Sequence, residues 1–336
     1  MDVNIPLLIE WVIKSVVIIL IILGGFAYLT WFERRSLARI QTRIGPNRVG
    51  PFGLLQPVAD GIKLIFNEEL IPVKADKVLF ILAPVITVLP ALIILGVMPL
   101  GPEVADGLWL GLADNVNIGV LYILAVASIA VYGIVIAGWS SNNKYALMGG
   151  IRSSAQVISY ELALGLSFVG PILLAGTMNM RAIVEAQSSN WFIWYTQPVG
   201  FIIFLVSVIA EVNRAPFDMP EAEQELTAGY HAEYSGMKFA LFFMAEYGKM
   251  IAVSFIGAAV FLGGYYGPFV DQIPWLGPLY LFIKVVALLF IMVWVRATYP
   301  RIRYDKLMGF GWKFLLPLAL VNVAVTAVLV VLGVGA

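Results

Sequence analysis

The sequence predicts an all-α integral membrane protein with about eight transmembrane helices and one further amphipathic helix lying in the membrane interface. Three observations predict it. Of 336 residues, 61% are hydrophobic and only 12% are charged, roughly half the charged fraction of an ordinary soluble domain. The apolar residues fall in runs long enough to cross a bilayer, which takes ~20 helical residues for a ~30 Å core. The basic residues are segregated, with 17 of the 21 falling in four of the connections between runs.

The runs cover about 11–31, 78–99, 116–138, 156–177, 195–212, 238–263, 278–298 and 314–334. The first is too long for a signal-peptide core and no small-residue cleavage site follows it, so it is expected to stay as a span. The connection 32–77 carries Arg34, Arg35, Arg39, Arg43, Arg48, Lys63, Lys74 and Lys77. Arg34 and Arg35 directly follow Glu33, and local pairing is expected there. Pro46, Gly50, Pro51 and Gly53 make a turn-rich stretch. The segment 54–66, LLQPVADGIKLIF, then puts Leu55, Val58, Ile62, Ile65 and Phe66 on one side of a helix and Asp60 and Lys63 on the other. That is the pattern of a helix in the membrane interface, and Pro57 fits only in its first turn.

Connection 139–155 carries Lys144 and Arg152, and 211–238 carries Arg214 and Lys238. The last, 296–313, carries Arg296, Arg301, Arg303, Lys306 and Lys313. The positive-inside rule places these four on the cytoplasmic side and both termini outside. One polytopic domain over 1–336 is expected. Lys14 and Lys284 sit nearer the outer ends of their spans and are expected to snorkel. No internal repeat signals an inverted-repeat transporter.

Cysteine is absent and His231 is the one histidine. Disulfides, thiolate iron–sulfur ligation and a multi-histidine metal site within the chain are thereby excluded. His231, in a polar loop, is expected to hydrogen-bond. A net charge of zero suggests no nucleic-acid partner.

The segment 211–233, EVNRAPFDMPEAEQELTAGYHAE, stands apart. It holds Glu211, Asp218, Glu221, Glu223, Glu225 and Glu233, and Glu246 lies beyond it in the next span. Burying a charge costs several kcal/mol unless it is paired, hydrated or protonated. Carboxylates gathered at a helix end therefore suit proton or ligand handling. The plainer reading is a solvated acidic loop favoured by a helix dipole. Glu221 and Glu225 share a face if helical, and Glu223 points elsewhere. Glu161 lies ~9 Å inside the fourth span and Glu246 ~12 Å inside the sixth, at ~1.5 Å per residue. Acids at such depth face a bundle interior or a hydrated pathway. Lys249, three residues on, is within helical reach of Glu246.

Four stretches carry a family resemblance: ERRSLARIQTRIGPNRVGPFGLLQPVADGIKL (33–64), GWSSNNKYALMGGIRSSAQVISYE (138–161), EVNRAPFDMPEAEQELTAGYHAEYSGMKFALFFMAEY (211–247) and RATYPRIRYDKLM (296–308). In order and topology they resemble the H-subunit family of proton-translocating NADH:quinone oxidoreductases, the bacterial counterpart of NADH dehydrogenase subunit 1 of respiratory complex I. The resemblance implies a membrane subunit in a bacterial-type plasma membrane, joining a hydrophilic arm to antiporter-like and smaller membrane subunits amid lipid. It implies a quinone substrate, no covalently bound cofactor and no catalytic residue here, with FMN and iron–sulfur clusters in partner subunits. It implies a quinone chamber from Arg34, Arg43, Asp60, Lys63, Arg214, Asp218, Glu221, Glu223, Glu225, Arg296, Arg301 and Arg303. It implies a proton route through Glu161, Glu211, Glu221, Glu225 and Glu246. One departure is visible: after Ala-Glu-Tyr the family more often has a small residue and Asn, where this chain has Gly248 and Lys249. Related subunits serve ferredoxin- or hydrogenase-linked pumps, and a stand-alone ion transporter is a more distant alternative.

Overall fold

The computed structural model describes residues 5–103, 110–113, 115–219, 229–270 and 272–333, with side chains from residue 9 onward. Helix α1 runs Ile5–Ile40 and the short α2 runs Gln56–Phe66. Helix α3, Lys77–Ile93, tightens into a 3₁₀ turn over Ile94–Val97. Then come α4, Gly119–Ser140, and α5, Lys144–Ala175. Two short helices, α6 over Met180–Glu185 and α7 over Phe192–Tyr195, lead to α8 over Pro198–Glu211. Helix α9 is Gly236–Phe261 and α10 is Leu276–Thr298. Finally α11, Tyr304–Phe310, passes through a π-helical turn, Gly311–Leu315, into α12, Leu316–Val331.

Seven of the described helical stretches are long and apolar enough to cross a membrane, and α8 is a shorter apolar eighth. The chain is an all-helical integral membrane protein. The spans differ from expectation at three ends. Helix α1 continues to Ile40, so Glu33, Arg34, Arg35 and Arg39 are helical. Helix α5 begins at Lys144, capped by the Asn143 side chain accepting from the Tyr145 N–H. The last span begins at Tyr304. Hydropathy marks where the bilayer stops, but backbone hydrogen bonding decides where a helix stops. Arg34 to Arg39 are adequate helix formers, so α1 runs on until Thr42 turns left-handed at φ 54°.

Helices α3, α4, α5 and α8 pack in sequence, and α9 closes against α3, α10 and α1. Buried aromatic rings hold the centre: Phe204 lies 5.2 Å from Phe261 and 5.9 Å from Phe168, centroid to centroid. Helix α1, by contrast, exposes Trp11, Val12, Val16, Leu20 and Ile21, a surface fit for lipid or for neighbouring subunits.

Lys284 does not snorkel. It is buried and donates to the Gly264 and Tyr266 carbonyls at 2.8 and 2.7 Å, with Nζ 4.2 Å over the Trp191 ring. Backbone carbonyls left free where α9 ends satisfy the ammonium better than a stretched reach to water.

Two glycines allow backbone to approach backbone near the candidate site. Gly53, at φ +76°, turns the first connection so tightly that a Cβ would lie 2.3 Å from the Pro46 carbonyl oxygen. Gly149 on α5 abuts Gly229, where a Cβ would lie 2.6 Å from the Gly229 Cα. That contact seats the segment 229–235 on the bundle. Gly149→Val is expected to force backbone apart and cost about 1–3 kcal/mol as an overpacking change. A lowered thermal unfolding midpoint of the purified protein checks it.

Candidate functional site

Three elements enclose a groove. Helix α2 lies against α1 and the start of α9. It turns Pro57, Asp60, Gly61 and Leu64 inward and leaves Val58, Ile62, Ile65 and Phe66 exposed. The interfacial face read from the sequence is therefore the face that none of the described residues covers. Trp31 and Arg35 of α1 both donate to the Phe52 carbonyl, at 3.2 and 2.6 Å, and pin the connection in place. Between the elements is a cavity of about 600 Å³, lined by Phe26, Ala27, Thr30, Met237, Ala240 and Phe243 among others. Arg34, Asp60 and Lys63 line the same cavity. Arg34 binds Asp60 at 2.7 Å, with the arginine side chain 53% exposed. Such a pair adds only about 0–1 kcal/mol to stability, so its interest is chemical: an ionic patch beside an apolar groove.

Deeper in lies a row of buried charges. Glu33 of α1 pairs with Arg296 of α10. It also faces Arg214, Nη1 to Oε1 at 3.8 Å, and Arg214 reaches Glu246 of α9 at 3.6 Å. The guanidinium stacks on the Tyr247 ring at 4.4 Å. Glu33, Arg214 and Glu246 are 3%, 5% and 7% exposed. Next on α9 is buried Lys249, which lines a small cavity with Glu211 and lies within electrostatic reach of Glu161 and Glu246. Ser128 of α4 hydrogen-bonds Glu161. Carboxylates and cations thus alternate along the row, as buried charges must if the desolvation penalty is to be offset.

Two local pairings expected from the sequence give way to this row. Arg34 and Arg35 bond Asp60 and Phe52 instead of Glu33. Successive residues of a continuing helix do not face one another, so Glu33 turns inward while the arginines turn out. Glu246 has its ion pair with Arg214, and Lys249 lines a small cavity with Glu211.

The loop bearing Arg214 is fixed from α5. Gln156 is fully buried and donates to the Ala210 and Phe217 carbonyls at 2.7 and 2.6 Å. From the last connection, the Ile302 N–H donates to the Pro216 carbonyl at 3.0 Å. Arg301 and Arg152 each approach the Met219 sulfur at 3.7 Å. His231 is caged by aromatic rings: Tyr230 at 3.9 Å, Phe242 at 5.2 Å and Phe239 at 5.8 Å. Its Nε2 finds no hydrogen-bond partner among the described residues, against the expected hydrogen-bonding role. Burial, and then the charge of Arg214, push its pKa down from 6.5 to about 3. It is neutral at physiological pH.

Of the residues named from the sequence, Arg34, Asp60 and Lys63 meet in the groove. Arg214, Arg296 and Glu246 meet in the row, with Glu211 and Glu161 beyond Lys249. Asp218 is half-buried next to Met219, which Arg301 contacts. Arg43 bonds Gln41 on the surface and Arg303 pairs with Asp305, both away from groove and row. Glu221, Glu223 and Glu225 lie outside the described residues. Sequence reasoning passed over Glu33 and Gln156. A carboxylate at a membrane face was the signal for the first, and nothing in the pattern singled out the second.

A multi-pass helical bundle with an apolar groove and buried, alternating charges defines the class, an integral membrane subunit. The chain belongs to the NADH dehydrogenase family, whose model matches residues 13–327. It is 49% identical over 332 residues to the H subunit of NADH-quinone oxidoreductase from Thermomicrobium roseum, covering 95% of this chain and 96% of that one. To the H subunit of Protochlamydia amoebophila it is 52% identical over 304 residues, 90% and 91% of the two chains. To that of Rhodospirillum rubrum it is 52% identical over 321 residues, 94% and 92%.

Gln156→Leu removes the side-chain donor to the buried Phe217 carbonyl and leaves the Ala210 carbonyl with the Asn213 N–H at 3.3 Å. It is expected to cost about 1–3 kcal/mol per lost partner and to loosen the Arg214 loop. Faster proteolysis within 212–219 checks it. His231 gives a pH signature. The unfolded chain takes up its proton near 6.5 and the folded chain only near 3. This residue's share of stability is therefore complete above 6.5 and is lost as pH falls toward 3. His231→Phe is expected to flatten that acid limb in thermal unfolding measured across the range.

Proposed function

We propose that the groove is the membrane entrance and part of the chamber for a lipid-soluble quinone, and that the chain couples quinone reduction to proton translocation. The observation that carries this is the groove: about 600 Å³ between α1, α2 and α9, with Arg34, Asp60 and Lys63 among its lining. That volume suits a ring with part of an apolar tail. The uncovered apolar face of α2 would rest in the bilayer, so a lipid-borne ligand meets the groove without crossing water.

Arg301, Asp218 and the acids Glu221, Glu223 and Glu225 would complete the chamber's rim from the basic side, and Arg43 and Arg303, engaged with Gln41 and Asp305, would stand outside it. Reducing a quinone to a quinol takes two electrons and two protons. The electrons would come from iron–sulfur clusters and FMN in hydrophilic partner subunits, as the family resemblance implies. Proton uptake beside the row removes or redistributes charge, and Arg214, sharing Glu33 and Glu246, passes the change inward. Glu211, Glu221, Glu225, Glu161 and Glu246 would carry the protons onward to neighbouring antiporter-like and smaller membrane subunits. The basic connections would face the cytoplasm, with both termini outside, in a bacterial plasma membrane.

Ala240 lines the groove on α9. Ala240→Trp in the assembled complex is expected to raise KM about tenfold for a long-tailed quinone, a ~1.4 kcal/mol effect, and much less for a short-tailed one. Equal KM values for both, unchanged from the parent, would overturn the entrance. Glu221→Gln tests the acidic segment. Full quinone reduction and pumping in an assembled variant would remove that residue from the route.

A further inference from the structure

Lys249 is a buried cation for which the entrance and chamber offer no use. It lies on α9 one turn after Glu246 and is 7% exposed. Its side chain and that of Glu211 line one small cavity of about 20 Å³, closed by Ile94, Ile123, Leu164 and Phe204. Glu211 is 3% exposed, and its Oε2 has no hydrogen-bond partner among the described residues. Glu161 approaches from α5, held by Ser128 of α4, and Glu246 comes from α9 itself. One ammonium thus shares an apolar cavity with Glu211, with Glu161 and Glu246 within electrostatic reach. Charges so placed are weakly screened and act on one another strongly.

We infer that Lys249 is a positioning residue for proton movement, the common counter-charge through which Glu211, Glu161 and Glu246 respond to one another. This rests on the proposed role of those carboxylates as proton carriers. In this reading the lysine holds its own proton and the carboxylates exchange theirs. When a proton binds one carboxylate, one negative charge disappears, and the field of Lys249 then favours the anionic form of the other two. A proton on either of those is thereby released to the next acceptor along the row. Arg214 cannot take this part alone, because Glu33 and Glu246 already share its charge.

The test uses the whole complex in proteoliposomes, with protons translocated per electron as the readout. Lys249→Met, and Lys249→Gln as a second neutral variant, are expected to assemble, reduce quinone and pump at least about threefold less, a coupling effect typical of neighbouring groups. Lys249→Arg is expected to restore part of the ratio by restoring the charge. A normal ratio in either neutral variant overturns the inference. Non-assembly of both neutral variants, with Lys249→Arg pumping normally, assigns the residue to stability alone and overturns it as well. Glu211→Gln separates the two levels. If that variant pumps normally, the wider reading of the carboxylates falls. If it fails while Lys249→Met pumps normally, only the role of Lys249 falls.

Discussion

Arg214, held between Glu33 and Glu246, is the contact on which the interior of this protein depends. It joins α1 to α9 through side chains that are nearly inaccessible to water. Arg296 brings α10 to the same carboxylate. Removing one member of such a cluster leaves an uncompensated charge where hydration is scarce, a loss of about 3–5 kcal/mol in comparable cases. The geometry therefore has to be over-determined, and it is. Gln156 clamps the Arg214 loop from α5, Ile302 clamps it from the last connection, and Tyr247 supplies a flat surface beneath the guanidinium. Arginine suits the position because its rigid fork presents donors in two directions at once.

The groove and the ionic row share helices α1 and α9. Phe26, Ala27 and Thr30 face the groove from α1, and Glu33 on the same helix faces the row. On α9, Phe239, Ala240 and Phe243 face the groove, and Glu246 and Lys249 the row. A shift of either helix that reshapes one must disturb the other. Sites that share rigid elements in this way are coupled by packing, since well-packed interiors move in concert.

Helix number and the exposed face of α2 were legible in the sequence, because hydropathy and periodicity are local. The depth of Glu161 and Glu246 follows from counting residues. The partner of Glu33 does not, because Arg296 stands 263 residues away and two arginines stand beside it in sequence. Adjacency suggested a local pair, and the continuing helix forbade it. The same distance problem hid Gln156, whose three contacts reach 54 to 61 residues ahead. His231 misled for another reason: polar neighbours in sequence concealed an aromatic cage built largely by α9. Lys284 did so because backbone carbonyls, which no side-chain pattern advertises, hold it.

Helix α8 is 14 residues long, ~21 Å at ~1.5 Å per residue, against a hydrocarbon core of ~30 Å. That is a hydrophobic mismatch, and a lone helix would relieve it by thinning the bilayer around itself. Here α8 packs against α5, α9 and α12 and leaves only Val199 and Ile202 of its large apolar side chains exposed, so protein covers most of its surface. Its final turn is met by protein donors: the Ala210 carbonyl accepts from both the Asn213 N–H and the Gln156 side chain. A span shorter than the bilayer thus ends among protein groups, and buried Glu211 is the residue that stands there.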